Sequence, residues 1–431
     1  MRVRVWRHTI GFVQARNPLS QIGISVWLFV LVISSVPAQA QKDLPVAAWR
    51  SQIRSNFFIP DPLPALIAET HRKFTPAPGV RAEAVSYATQ FGTRVPAILY
   101  LPDPPPEGGK KIPALTVVNG HGGDKSSWYA WYSGILYARA GAAVLTYDPI
   151  GEGERNAERK SGSRAHDMIK GDEKISRWLA GLMMTDVMQA VSYLAQREEV
   201  DSRRIAVMGY SLGSFVVGMT GAVESRLRAC VLVGGGNFDG PNEYWDNSKQ
   251  MCQGLPYRSL NFLGDRPAAL YALHAERGST LIFNGMADTV VGMPANASSF
   301  FSNLQAHVAQ LRGREVNFEF GLVDGVSHRP FFVTRPVALW LERQLDFPNW
   351  TEASIRELPE TRIGDWSARE GVALDKLYAT EEREAGTRAL GNDVPGFAKD
   401  GLNVFSQTEW EKRKSELILE SWLTRARTEK N

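Results

Sequence analysis

The eleven residues from Ile205 to Phe215 constrain this chain more than any others. Ile205-Ala206-Val207-Met208 is a short apolar run, Gly209-Tyr210-Ser211-Leu212-Gly213 follows it, and Val216, Val217, Gly218, Met219 and Gly221 continue in a small-residue helical pattern. Strand, sharp turn and helix in that order force the serine into a strained backbone conformation, with its hydroxyl aimed out above a sheet. The two glycines have a physical task, because a side chain at 209 or 213 would crowd the neighbouring strand or helix where the chain reverses. A serine hydroxyl at neutral pH is a poor nucleophile and needs a base within hydrogen-bond reach, itself oriented by a third group. The competing reading, a Gly-bordered serine that only caps a helix, needs no such partners.

The chain has 7 histidines, so the base can be sought by elimination. His8 lies in the apolar leader and His71 precedes the sheet. His166 falls in a polar loop, where a solvated side chain is expected. His274 sits in a helix-like stretch, and His307 on the surface of a helix. His328 lies in Asp324-Gly325-Val326-Ser327-His328-Arg329-Pro330, between the last strand and the last helix. Loops at the carboxyl ends of parallel strands are where open α/β sheets place ligands, so His328 is the expected base. The orienting acid should end another strand, and Leu281-Ile282-Phe283-Asn284-Gly285-Met286-Ala287-Asp288 supplies Asp288 after a glycine turn. Its work would be to hold the imidazole in the right tautomer without taking the proton. Asp239, after the preceding strand, is the rival. Asp324 is too close in sequence to reach round to His328 and reads as a loop cap. For an oxyanion, one main-chain donor is the N–H of Leu212. The second is expected from Asn119-Gly120-His121-Gly122-Gly123, with His121 favoured and Gly122 next; the His121 side chain would then only shape the pocket.

Around these residues strands and helices alternate from 112 to 345, which means a mostly parallel, doubly wound sheet of the α/β class. Residues 112–118 are continuously apolar, as suits a strand buried on both faces. Two strands at 85–88 and 95–101, joined by a turn at Phe91-Gly92-Thr93, form a hairpin ahead of it. The expected organisation is a leader at 1–40, an arm at 41–80 with a helix near 63–73, and a main domain at 81–345 with a lid-like insertion at 237–265. A charged helical extension follows at 346–431. Within that extension 409–425 is amphipathic and is expected to pack on the domain, with partner docking as the alternative.

The formal net charge of +3 is misleading, because Arg2, Arg4, Arg7 and Arg16 all fall in a leader without acidic residues, and the remaining 45 basic residues face 46 acidic ones. No basic face follows, so nucleic acid is not an expected partner. The leader runs from a basic start through an apolar stretch at 22–36 to Ala38-Gln39-Ala40, the pattern of a signal peptide cleaved after Ala40. The apolar stretch is short for a membrane span, which needs about 20 residues, although an uncleaved anchor remains the alternative. Export would permit Cys230 and Cys252 to pair; against that, Cys230 lies in an apolar run where cysteine acts as a small hydrophobe. Neither a metal nor a cofactor is expected, and the sequence sets no oligomeric state.

Gly209-Tyr210-Ser211-Leu212-Gly213, Asp288 and His328, in that order, resemble the α/β-hydrolase superfamily over roughly residues 80–345. Asn119-Gly120-His121-Gly122-Gly123 and Tyr147-Asp148-Pro149-Ile150-Gly151-Glu152-Gly153-Glu154 are similar to the branch of acetyl xylan esterases, dienelactone hydrolases and prolyl-oligopeptidase-like enzymes. The resemblance implies Ser211 as nucleophile, Asp288 as orienting acid and His328 as base, in an exported enzyme acting on small esters or acetylated carbohydrates. The chain departs from dienelactone hydrolases in carrying a serine where they carry a cysteine. It departs from prolyl oligopeptidases in that roughly 40 mature residues before the domain cannot form a propeller. Pocket walls are expected from Tyr210, Phe238, Tyr244, Trp245, Tyr257 and Phe262. The aromatic run Trp128, Tyr129, Trp131 and Tyr132 is expected either in core and lid packing or, on a sharper reading, stacked against sugar rings. A serine peptidase with an acidic anchor for the substrate amine, or a non-catalytic binding protein of the same fold, are the alternatives.

Overall fold

In the computed structural model, residues 45–163, 165–169, 172–236, 254–293, 295–374 and 381–429 are described. A nine-stranded sheet runs through them in the order β1-β2-β3-β5-β4-β6-β7-β8-β9. The strands are β1 (Glu69–Ala77), β2 (Val80–Ala88), β3 (Arg94–Pro102), β4 (Ile112–Val118), β5 (Ala143–Tyr147), β6 (Val200–Tyr210), β7 (Leu227–Val233), β8 (Ser279–Gly285) and β9 (Phe318–Val323). The first three run antiparallel, β3 joins β5 antiparallel, and every pair from β5 to β9 is parallel. All seven residues of β4 are buried, as its continuous apolar run requires. Pro113 has no N–H to give the ladder, and the β4–β6 register slips between Ile112 and Ala114.

One expectation fails at the amino end. The helix expected near 63–73 is absent; residues 69–77 form β1, an edge strand paired with β2. Its exposure alternates from Glu69 to Arg72, where only one face is covered, and Arg72 and Lys73 are both exposed just past a shift in the β1–β2 register. Helix α1 (Val46–Asn56), not expected from the sequence, precedes it.

Helices pack on both faces of the sheet. On one face lie α1, α3 (Glu173–Gln196), α4 (Leu212–Val223), α5 (Gly254–Arg258), α6 (Arg266–His274) and α7 (Ala297–Arg312); on the other lie α2 (Trp128–Arg139) and α8 (Arg335–Leu345). Asp172 caps α3 through Ile175 N–H and Asp265 caps α6 through Ala268 N–H, each satisfying an amide that the helix start leaves open. The carboxyl-terminal residues add α9 (Glu352–Glu357), α10 (Ile363–Glu370), α11 (Glu381–Ala385), α12 (Gln407–Leu417) and α13 (Leu419–Thr428), with a small antiparallel pair, β10 (Glu360–Arg362) and β11 (Arg388–Leu390). Trp366, Leu390 and Trp410 join the core on the α2 side, whereas Leu419 and Trp422 join the core on the α3 side. The extension therefore wraps round an edge of the sheet and closes both layers.

The aromatic run on α2 is the seam for that wrapping. Trp128, Tyr129, Trp131 and Tyr132 are all buried. The Trp128 indole N–H donates to Glu384, the Trp131 indole to Pro395 O at 2.8 Å and the Tyr132 hydroxyl to Leu390 O at 2.8 Å. Trp131 stacks on Phe397 with ring centroids 4.8 Å apart. These rings are core, and a sugar-stacking role for them is set aside.

Candidate active site

Ser211 stands between β6 and α4 with φ 55° and ψ −116°, a left-handed conformation that side chains rarely adopt. Close packing explains the glycines beside it. A Cβ on Gly209 would lie 2.3 Å from Gly213 O, and one on Gly213 would lie 2.1 Å from Val118 O. Ser211 N–H donates to Val233 O at 2.9 Å, tying the turn to the next strand. Leu212 is the first residue of α4, so helix geometry leaves its N–H without an intrahelical acceptor. The loop after β4 approaches from the side: a Cβ on Gly120 would come within 3.1 Å of Ser211 Cβ. Asn119 Nδ2 anchors that loop by donating to Tyr147 O at 3.0 Å.

Asp288 and His328 arrive on two loops that are bonded to each other. Met286 N–H donates to Val323 O and Ala287 N–H to Val326 O, both at 2.9 Å. The His328 Nδ1 lies 2.7 Å from Asp288 Oδ2, and Asp288 Oδ1 accepts the N–H groups of Val290 (2.9 Å) and Val291 (3.2 Å). A carboxylate only accepts, so Nδ1 carries the proton, and in the neutral imidazole Nε2 presents a lone pair. That Nε2 is buried and has no hydrogen-bond partner among the described residues. The imidazole rests on the Tyr210 ring, centroids 4.9 Å apart, and on Gly234, where a Cβ would come to 2.8 Å from the ring. Both supports flank the serine turn: Tyr210 precedes Ser211 in the chain, and Gly234 follows the carbonyl that Ser211 N–H reaches.

Asn284 is a positioning residue that sequence reasoning missed. Its Oδ1 accepts the N–H groups of Gly234 (2.6 Å) and Gly235 (3.3 Å) and fixes the floor under the imidazole. The only sequence signal is its place at the end of β8, four residues before Asp288.

A buried ionic cluster braces the other side of the site. Lys125 Nζ lies 2.5 Å from Asp148 Oδ2 and 3.0 Å from Glu154 Oε2. Burial works against the ammonium, yet Asp148 and Glu154 raise its pKa above the ordinary lysine value. Asp148 Oδ1 also accepts Lys125 N–H at 3.2 Å, while Glu154 accepts Val404 N–H (2.8 Å) and Phe405 N–H (3.0 Å) from the extension. The Tyr147–Glu154 motif thus clamps the 119–127 loop to the carboxyl-terminal extension. Gly153 is required there, since a Cβ would sit 2.6 Å from the Asp148 carboxyl.

The expected pocket walls separate. Tyr210 is buried behind His328, and burial pushes its phenol pKa well up. Tyr257, on α5, packs edge-on against Phe215 of α4. Phe262 is 42% exposed. Phe238, Tyr244, Trp245, Cys252 and the rival acid Asp239 lie outside the described residues. Cys230 is a free, buried thiol. Asp324 is exposed, as a loop cap would be. His307 is half exposed beside Asp265, in keeping with its helix-surface reading. His166 departs from expectation: it is 1% exposed, stacked on His121 with ring centroids 5.4 Å apart. Among the described residues no helix is long and apolar enough to cross a membrane.

The sheet order, the strained serine turn and the helices on both faces define an α/β-hydrolase. Residues 135–350, half of the chain, match the prolyl oligopeptidase family, and the protein belongs to that family. A curated relative, YtaP of Bacillus subtilis strain 168, a protein named as a hydrolase, is 29% identical over 91 residues. That match spans 21% of this chain and only 29% of the relative's length. Among solved structures, the methylesterase BT1017 superposes with a TM-score of 0.52 at 17% identity, over 86% of this chain and 76% of its own. An acetyl xylan esterase from Thermoanaerobacterium superposes with a TM-score of 0.47 at 15% identity, over 72% and 95% respectively. At these identities the likeness is one of fold.

Proposed function

We propose that the protein is an exported serine hydrolase that cleaves carboxylic esters, with acetyl esters of carbohydrates as the first substrate class to test. The observation that carries the reading is His328: one nitrogen is held by Asp288, the other is buried without a hydrogen-bond partner among the described residues, and the ring rests on Tyr210, which precedes the strained serine. In the first half-reaction His328 Nε2 takes the proton from Ser211 Oγ as that oxygen attacks the ester carbonyl. The Leu212 and His121 main-chain N–H groups, with Gly122 as the substitute for the second, stabilise the oxyanion. The C–O bond to the alcohol breaks, and the imidazolium returns its proton to the leaving oxygen. Water then repeats the sequence on the acyl-enzyme and frees Ser211. Asp288 holds the tautomer and offsets the charge on the imidazolium. The Ser211–His328 hydrogen bond is not formed in this structure; such bonds commonly tighten only when substrate is bound.

The test is turnover of 4-nitrophenyl acetate by the purified protein and by Ser211→Ala. The variant should lose at least about 10³-fold in kcat, as removal of a triad member does; substantial residual activity would refute the assignment of Ser211. Export rests on the leader at 1–40, and a protein recovered only inside the cell with Met1 retained would remove that part of the proposal.

The family match favours a second reading, a serine peptidase. That activity needs an acidic group free to bind the substrate amine. Glu384, close enough to act on the Tyr210 phenol, is itself buried and accepts the Trp128 indole N–H. Comparing an aminoacyl anilide with the acetyl ester separates the two: a higher kcat/KM on the anilide selects the peptidase.

A further inference from the structure

His121 and His166 face one carboxylate. The His121 Nε2 lies 3.3 Å from Asp167 Oδ1, and the His166 Nε2 lies 3.5 Å from the same oxygen. The two rings are nearly parallel, 14° apart, and the three ligand atoms lie within 4.8 Å of one another. Both histidines are buried and Asp167 nearly so. These distances discriminate between two kinds of contact. A charge-assisted N–H···O bond is about 2.7–2.9 Å long, and His328 with Asp288 meets that at 2.7 Å. Here an imidazole and a carboxylate stand further apart twice over, at 3.3 Å and 3.5 Å. A tetrahedral ion with bonds of about 2.0–2.1 Å sets neighbouring ligand atoms about 3.3 Å apart, close to the 3.3 and 3.5 Å of the two nitrogen–oxygen edges, while the nitrogen–nitrogen edge lies within 4.8 Å.

We propose that His121, His166 and Asp167 form a binding site for a divalent first-row transition ion of the zinc type. Two imidazoles and one carboxylate suit a borderline ion of this kind, whereas calcium and magnesium require mostly oxygen ligands. The ion pins the loop that carries His121 to the turn at 165–168. It therefore bears on the oxyanion donor in the reading above, although binding itself does not depend on that reading. The sequence did not reveal the site, because His166 and Asp167 sit in a loop whose return onto the 119–123 loop leaves no periodic signal.

The experiment uses the whole purified chain after treatment with a chelator. Titration with Zn²⁺ and with Co²⁺ should give one saturable site for which the two ions compete. Bound cobalt should show the visible d–d bands of a nitrogen- and oxygen-ligated ion. His166→Ala and Asp167→Asn should each weaken Co²⁺ binding by on the order of 100-fold or more, the upper end of what losing even an outer partner of a ligand costs. Near-ultraviolet circular dichroism checks that at least one variant keeps the native packing, and zinc should raise the thermal midpoint of the wild type but not of that variant. Ser211→Ala should bind metal normally, so a failure of the hydrolase reading and a failure of this one are distinct. Absence of saturable binding, unchanged affinity in a folded variant, or equal affinity for Ca²⁺ would overturn the proposal.

Discussion

Strands β7 and β8 have a buried histidine near each of their ends. Toward the amino ends, His274 reaches in from α6; its Nδ1 meets Thr280 Oγ1 at 2.8 Å and its Nε2 meets Cys230 Sγ at 3.5 Å. At the carboxyl ends, His328 has Asp288 on one nitrogen and, among the described residues, no partner on the other. Both side chains are closed off from bulk water, so burial alone does not distinguish them. His274 has spent both nitrogens on the fold. His328 keeps one in reserve, at a cost to stability, since a buried polar atom left unpaired is unfavourable. Open α/β sheets gather their chemistry at the carboxyl edge, and within this molecule the unpaired nitrogen is the local sign of it.

The largest effect that can break the comparison is on rate. Asp288→Asn should lower kcat by on the order of 10⁴, because an amide cannot fix the Nδ1–H tautomer of His328. KM should change little, and so should the thermal midpoint. A loss below tenfold on the nitrophenyl acetate assay would move the acid elsewhere, with Asp239 the next to test.

The second effect is on stability, at the satisfied end. Burial depresses the His274 pKa to about 4, against an ordinary value near 6.5, with Arg50 adding to the shift and a bond to the Leu227 backbone opposing it. Between those values the unfolded chain binds a proton that the native protein does not, so stability rises with pH across the window. The contribution is complete above pH 6.5 and fades as pH falls toward 4. Two and a half pH units correspond to about 3 kcal/mol. Denaturant unfolding of the wild type and of His274→Gln should therefore diverge at pH 7 and converge toward pH 4, with ester turnover near the wild-type value in the folded variant. A difference that stays constant over this range would show that the imidazole titrates alike in both states.

These two ends were not equally legible in the sequence. Ser211, Asp288 and His328 each follow an apolar run with glycine nearby, and a strand that must turn sharply at its carboxyl end announces itself in that way. The strands from β4 to β8 could be read for the same reason: a strand buried on both faces has no freedom to be polar. Where only one face is covered the signal thins. β1 mixes exposed polar residues with half-buried ones, so it resembled an arm. The fates of His166, Asn284 and the α2 aromatics depend on which distant segment packs against them. Trp131 could not reveal that Phe397 would lie on it, 266 positions later in the chain. His274 read only as part of a helix, since the partners that satisfy it come from β7 and β8.

The smallest effect concerns Tyr210 and sharpens the comparison most finely. The sequence placed it among residues that touch substrate; in the fold its ring supports the His328 imidazole, and its hydroxyl is buried without a hydrogen-bond partner among the described residues. If the ring is the working part, Tyr210→Phe preserves the support and removes one unsatisfied polar atom, a change that is close to neutral or slightly stabilising, within about 1 kcal/mol. Turnover should then stay within about threefold of wild type, less than one transition-state hydrogen bond is worth. If instead the hydroxyl reaches the substrate during the reaction, kcat/KM falls by a factor of ten or more while the thermal midpoint holds. The second outcome would make the phenol a partner of the reaction, and the reserve of unpaired atoms at the carboxyl edge would then extend beyond His328 to the residue that carries it.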